Sequence, residues 1–361
     1  MSTLKLRHTD NTDNTDMRGF FIKENRSAIK QKISAFICAC LCHLRAIIPV
    51  LFALGLTASC TLDGELGECP YNARLEYWYT GSGTVNVLPQ YVDEMRQYIY
   101  DSEGTLVQVN STNGERVVYG ELNVEPGTYT IVSWANLDTV SAHYPEVIVG
   151  KSKLADMQLY MDNPYSGSST RSSGSYHTAS EKLYYGYAEL EVTGRGVSRQ
   201  RVYMTHSHFL LNLTVKWAQY PPLDVGNFNY RLRGVPSRYR FTPSHWIGSV
   251  RTGEQAVPAI LPDRCGVRVP ATMNLNRTLS GTLVCYRLTN DMHPVLGIYS
   301  NDNLIIKEVD LWKYFNTTSI DLDNNLRQEF DLQLLIDGDE VSVSTVGVGD
   351  WEDGGDLGGF M

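Results

Sequence analysis

Residues Arg201–Trp217 read RVYMTHSHFLLNLTVKW. From Phe209 onward, Leu211, Leu213, Val215 and Trp217 occupy alternate positions, with Leu210, Asn212, Thr214 and Lys216 between them. Successive side chains of a strand point to opposite faces, so a period of two with one apolar set describes a strand lying against a core. A slip of one residue would turn the whole apolar set outward, so the register is strongly specified. This is the longest such run in the chain, and it sets the first strand of a second domain at Arg201.

Shorter segments of the same kind lie on both sides, separated by turn chemistry. Upstream are Ala73–Tyr79, Met95–Tyr100 with Thr105–Val109 as a hairpin, Val117–Leu122, Thr128–Trp134, Gln158–Met161 and Lys182–Val192. Pro126-Gly127 suits the central pair of a type II turn, since Pro presets φ and Gly supplies a positive one. Downstream are Tyr230–Val235, His245–Val250, Cys265–Val269, Leu279–Leu288 and Asn303–Val309, with a short helical turn over Asp310–Phe315. Arg327–Ile336 and Glu340–Val348 flank Asp337-Gly338-Asp339, a strong hairpin signal. Asn163–His177 is Ser/Gly-rich and aperiodic, a surface loop. No segment carries a long 3.6-residue apolar period. The expectation is an all-β chain of two tandem β-sandwiches, residues 73–200 and 201–348, closed by a Gly/Asp-rich tail over 349–361.

The N-terminal region belongs to another function. An apolar run, Ala46–Leu56, follows basic residues and ends at Thr57-Ala58-Ser59 before Cys60. A basic n-region, a short apolar core and small residues ahead of a cysteine make a lipoprotein signal peptide, with Cys60 as the lipid acceptor. The run is too short to span a bilayer, which takes about 20 apolar residues. Residues 1–59 are therefore read as a signal with an extended prefix. Met17, followed by Arg18, Lys23 and Arg26, is a second candidate start. Residues 60–72 form a tether containing Asp63, Glu65 and Glu68.

Composition narrows the role. The net charge of -9 over 361 residues opposes nucleic acid or anionic lipid as a partner, because both require clustered Lys and Arg. Of seven cysteines, Cys38, Cys40 and Cys42 leave with the signal and Cys60 takes the lipid. Cys69, Cys265 and Cys285 remain. An oxidising exterior would permit a Cys265–Cys285 bridge, the alternative being two small buried hydrophobes. No pair has the spacing of a zinc motif.

No catalytic constellation is visible: the chain lacks a nucleophile elbow, a phosphate-cradling Gly loop and a His-Glu-x-x-His motif. It is read as a structural protein rather than an enzyme, without a cofactor beyond the lipid on Cys60. His206 and His208 sit at i and i+2 of a strand, so both rings could reach one ion. Spacing supplies no third ligand, so no metal is expected. The aspartates and glutamates of 337–356 lack the EF-hand order. Asp138-Thr139-Val140 fits a short pattern for O-glycosylation at Thr139.

Several features in order resemble one family. They are Cys60 with its acidic tether, Glu68-Cys69-Pro70, and the Leu122–Trp134 run with Pro-Gly-x-Tyr followed by Ala135-Asn136. Leu183–Gly186, the Phe209–Val215 strand and Val341–Trp351 complete the series. Together they resemble the fimbrial anchor and assembly lipoproteins of Bacteroidales, across residues 60–351. The resemblance implies tandem transthyretin-like, Greek-key sandwiches and a place in fimbriae, where an extended segment of one subunit completes the sheet of another. It implies a surface-exposed outer-membrane location, with Asp63, Glu65 and Glu68 as an export signal. The partners implied are fimbrial subunits, the membrane through the lipid, and host or bacterial surface ligands. Stalk subunits of such fimbriae are cut after an Arg in the first strand. Arg74 occupies that place here, and an anchor would remain uncut. Two other roles stay open: a stalk or tip subunit of the same fold, and a glycan-binding surface lipoprotein using Trp78, Tyr184, Tyr185, Tyr187 and Trp246.

Overall fold

The computed structural model describes residues 70–81, 83–137, 142–161, 176–221, 227–249, 253–338 and 340–348. All of them lie in one compact unit beginning at Pro70. Among the described residues, no helix is long and apolar enough to cross a membrane.

The first half contributes β1 (Ala73–Trp78), β2 (Glu94–Tyr100), β3 (Leu106–Asn113), β4 (Tyr119–Leu122), β5 (Gly127–Ala135), β6 (Ala142–His143) and β7 (Gln158–Met161). It continues with β8 (Tyr176–His177), β9 (Tyr184–Val192), β10 (Ser198–Tyr203) and β11 (Thr205–His206). A three-stranded sheet, β10-β1-β4, faces a five-stranded one, β11-β9-β5-β2-β3. Leu75, Tyr77 and Val202 from the smaller sheet meet Ile99, Ile131 and Leu190 from the larger, all fully buried. Burial of this kind stabilises by about 25 cal/mol per Å² of apolar surface removed from water.

The second half supplies β12 (His208–Trp217), β13 (Phe228–Pro236), β14 (Arg238–Ser249), β15 (Gly253–Ile260), β16 (Arg264–Pro270) and β17 (Thr272–Met273). Then come β18 (Leu279–Tyr286), β19 (Val295–Ser300), β20 (Asn303–Leu304), β21 (Val309–Asp310), α1 (Leu311–Thr317), β22 (Gln328–Asp337) and β23 (Glu340–Val348). Sheet β17-β18-β12-β22-β23 packs on sheet β20-β19-β13-β16-β8. Phe209, Leu211, Leu213 and Val215 are buried as the alternation predicts, with Asn212 and Lys216 exposed. They meet Tyr230, Leu232, Val267 and Ile298 of the facing sheet. Asp310 caps α1, its carboxylate accepting from the amides of Trp312 at 3.0 Å and Lys313 at 3.4 Å, while Leu311 and Phe315 face inward. The closing hairpin forms as expected, with Asp337 opposite Glu340.

The chain is thus all-β, with two tandem sandwiches, but the sequence-derived boundary at 200/201 falls inside β10. Arg201–Trp217 is three strands rather than one. β10 pairs in parallel with β1, β11 pairs with β9, and only from His208 does the chain enter the second sandwich. A fifth sheet, β15-β14-β7-β6, draws strands from both halves, with Arg238 opposite Tyr160. It covers the outer face of the β2-β5-β9 sheet, where Phe241 packs against Tyr98 and Trp134. That face is why β5 does not alternate: Ile131, Val132, Trp134 and Ala135 are all buried. A strand covered on both faces reads as a continuous apolar run.

The Pro126-Gly127 turn also differs from expectation. Gly127 opens β5 without a positive φ. The corner is held instead by the Tyr129 hydroxyl, which donates to Glu125 C=O at 2.7 Å. The Asn72 side chain bonds both the N–H and the C=O of Val124.

Candidate functional site at the junction of the sandwiches

The chain crosses from the first sandwich to the second at Ser207, and polar side chains of both halves converge there. Ser207 N–H donates to Leu183 C=O at 2.9 Å, and Ser207 C=O accepts the Tyr239 hydroxyl at 2.7 Å. The same hydroxyl accepts the Arg287 amide at 2.6 Å. Arg287, 1% exposed, spreads its guanidinium over backbone carbonyls: His206 at 3.3 Å, Leu322 at 3.0 Å, Asp323 at 3.2 Å, and Asn325. Its planar fork of five donors suits such an array, and burial pulls its pKa down to about 10, so it remains charged at neutral pH. Gln328 completes the polar seam, bonding Leu288 through both amide atoms and donating to Leu322 C=O at 2.6 Å.

His206 at the end of β11 and His208 at the start of β12 are both fully buried, their rings stacked with centroids 4.6 Å apart. Tyr184 meets both edge-on. Burial, then the neighbouring His208, holds the His206 pKa well below its ordinary value, so this ring is neutral. Its Nε2 lies 2.5 Å from the Tyr79 hydroxyl, and its Nδ1 is buried without a hydrogen-bond partner among the described residues. His208 Nδ1 lies 2.9 Å from Leu183 C=O. A carbonyl only accepts, so that partner assigns the proton to Nδ1. Nε2 of His208 then faces Glu329 Oε1 at 3.5 Å. Burial alone would raise the Glu329 carboxyl, but hydrogen bonds from His208 and Arg327 bring it down to about 2. Arg327 grips Oε2 at 2.6 and 2.8 Å.

Sequence spacing found the two histidines but not Glu329, which lies 121 residues from His208. The only local trace is the alternation that makes β22 a strand. Its parallel pairing with β12, Phe209 opposite Gln328, is a long-range fact.

Other sequence-derived sites fall in various places. Cys60, Asp63, Glu65, Glu68 and Thr139 lie outside the described residues, as does the tail from 349. Arg74 sits in the middle strand of the β10-β1-β4 sheet, opposite Arg199 on one side and Glu121 on the other. Its guanidinium lies 4.0 Å from the centre of the Tyr119 ring. The Cys265–Cys285 bridge is not formed. Both are free thiols: the Cys265 sulfur contacts Met161 Sδ at 3.8 Å and Pro236 O at 3.7 Å, whereas Cys285 turns to Tyr286 O at 3.4 Å. The alternative of two small buried hydrophobes describes them better. Of the aromatics considered for glycan contact, Tyr184 and Tyr185 are core residues and Trp78 lies under the Arg201 guanidinium. Trp246, 48% exposed, meets Tyr187 edge-on at 6.0 Å.

The fold has solved counterparts. The fimbrial anchor protein Mfa2 from Porphyromonas gingivalis is 16% identical, with a TM-score of 0.54 over 76% of this chain and 95% of that one. A candidate polysaccharide-binding protein from Bacteroides thetaiotaomicron is 14% identical, with a TM-score of 0.54 over 76% and 98%. A candidate adhesin from Bacteroides ovatus is 13% identical, with a TM-score of 0.53 over 76% and 93%. At such identities these similarities speak for the fold. No curated protein sequence matches the chain. The sequence model of the fimbrillin-A associated anchor proteins Mfa1 and Mfa2 matches residues 66–352, nearly the whole of the chain that follows Cys60. The chain therefore belongs to the family of fimbrillin-A associated anchor proteins, and its role is fimbrial anchoring.

Proposed function

We propose that this protein is an outer-membrane surface lipoprotein, held by acyl chains on Cys60, that anchors a fimbria and contacts its neighbouring subunit by strand addition. The observation that carries the strand-addition reading is β23. It is a nine-residue strand, EVSVSTVGV, that is an edge among the described residues, paired on one side to β22. It has no Pro and a single charge, and its register irregularity, at Val346 opposite Asp331 and Leu332, leaves Glu340–Thr345 a regular edge without the usual blocking devices. A free ladder of backbone groups offers an extended segment affinity, and alternate side-chain positions offer it specificity. The burial of Arg74's strand between two neighbours fits a subunit that keeps its first strand and hence its tether. The role is structural rather than enzymatic.

Cys60→Ala in the native host tests the anchor. The expected result is protein in the soluble fraction and intact fimbriae shed into the medium; fimbriae that stay on the cells would reject the role. A glycan-binding role has one observation in its favour, the exposed Trp246 beside Tyr187. Saturable sugar binding abolished by Trp246→Ala would establish it.

A further inference from the structure

We propose that His206, His208 and Glu329 bind one divalent transition-metal ion of the zinc class at the crossing between the sandwiches. One ring nitrogen of each histidine and a carboxylate oxygen lie within 4.8 Å of one another. Two imidazoles and a carboxylate are the donors zinc takes, whereas calcium and magnesium take oxygen alone.

The surroundings argue for a ligand rather than a packed polar core. His208 Nδ1 donates to Leu183 C=O at 2.9 Å, and Nε2 of the same ring lies 3.5 Å from Glu329 Oε1. Binding a divalent ion there would displace the proton that otherwise bridges Nε2 and the carboxylate oxygen. Tyr79 holds His206 through Nε2, leaving Nδ1 buried and without a partner among the described residues. Arg327 holds Glu329 through Oε2 and leaves Oε1 directed at His208. His208 and Glu329 therefore each have their other polar atom tied down, the usual outer-shell arrangement of a metal ligand. Opposing charges are present: Arg327, the buried Arg287, and Lys182, whose ammonium lies 3.8 Å from Glu329 Oε1. They weaken binding without removing the donors. Lys182 and Glu329 are the partly exposed members, so ions enter on their side. The three ligands come from β11, β12 and β22, so the ion would tie the first sandwich to the second.

The test uses the purified mature protein in detergent, stripped with a chelator and titrated with Zn²⁺ by calorimetry and with Co²⁺ by visible absorption. The expected result is one equivalent bound, with tetrahedral-type cobalt bands and a higher melting temperature in zinc. His208→Gln and Glu329→Gln are expected to weaken binding by at least about 10- to 100-fold, as loss of even an outer-shell partner does. Affinity unchanged by either variant, or no saturable binding, overturns the site. If the variants fail to fold, anomalous scattering at the zinc edge from wild-type crystals decides. Zinc between the three side chains upholds the proposal, and zinc elsewhere or none refutes it.

Discussion

The Tyr239 hydroxyl joins the two sandwiches by donating to Ser207 C=O at 2.7 Å while accepting Arg287 N–H at 2.6 Å. One phenol oxygen thus satisfies two buried backbone groups at the chain crossing. Tyr239→Phe preserves the ring stack on Tyr286, whose centroid is 4.5 Å away, and leaves both backbone groups unpaired. The expected cost is about 1–3 kcal/mol, read as a lower urea midpoint at constant slope. An unchanged midpoint would mean that the hydroxyl contributes nothing.

Arg287→Lys keeps the charge but replaces a planar fork by a point donor. Four carbonyls cannot all be served, so the expected loss exceeds about 1.5 kcal/mol, the lower end for one hydrogen bond to a charged group. Arg287→Ala should cost more, through lost packing as well. If lysine substitutes without loss in equilibrium unfolding, the fork geometry is irrelevant.

Cys265 is partly covered, and burial pushes its thiol up to about 12; burial also holds the Cys285 thiol well above its ordinary value. The nucleophile is the thiolate, roughly 1 part in 10,000 at pH 8 for a pKa near 12. Native protein should therefore resist iodoacetamide at pH 8, and both cysteines should label in denaturant without reductant. Labelling that requires a reductant would show that the two are bridged.

Arg74 lies in a strand hydrogen-bonded on both sides, whereas Arg195 and Arg277 occupy exposed turns. Limited digestion by an Arg-specific protease should cut at those turns first and after Arg74 only once the sheet has opened. N-terminal sequencing checks this. An early product beginning at Leu75 would point to a stalk or tip subunit.

The second sandwich was legible because β12 has one buried face, so alternation from Phe209 to Val215 survives in the sequence. The β2-β5-β9 sheet was harder, since Tyr98, Ile99 and Tyr100 are buried together and no period remains. The boundary was misplaced because Arg201–His206 shares the composition of the strand after it, while its partners Ala73–Trp78 and Tyr184-Tyr185 are set by tertiary packing. The junction was half visible. His206 and His208 stand together in the chain, but Glu329 reaches His208, Arg287 reaches His206 and Tyr239 reaches the intervening Ser207 only through pairings across 32 to 121 residues. No local pattern encodes those distances.

The parallel pairing of β1 with β10 has a mechanical meaning for an anchor. β1 is the first described strand, and with the proposed lipid on Cys60 a membrane would pull β1 along its own length. Its neighbours β10 and β4 flank it, from Ala73 opposite Ser198 to Trp78 opposite Tyr203 on one side. Tension then acts in shear, loading the rungs of the ladder together instead of peeling them one at a time. A fibre under flow would have to break this sheet as a unit before it could be torn from its base.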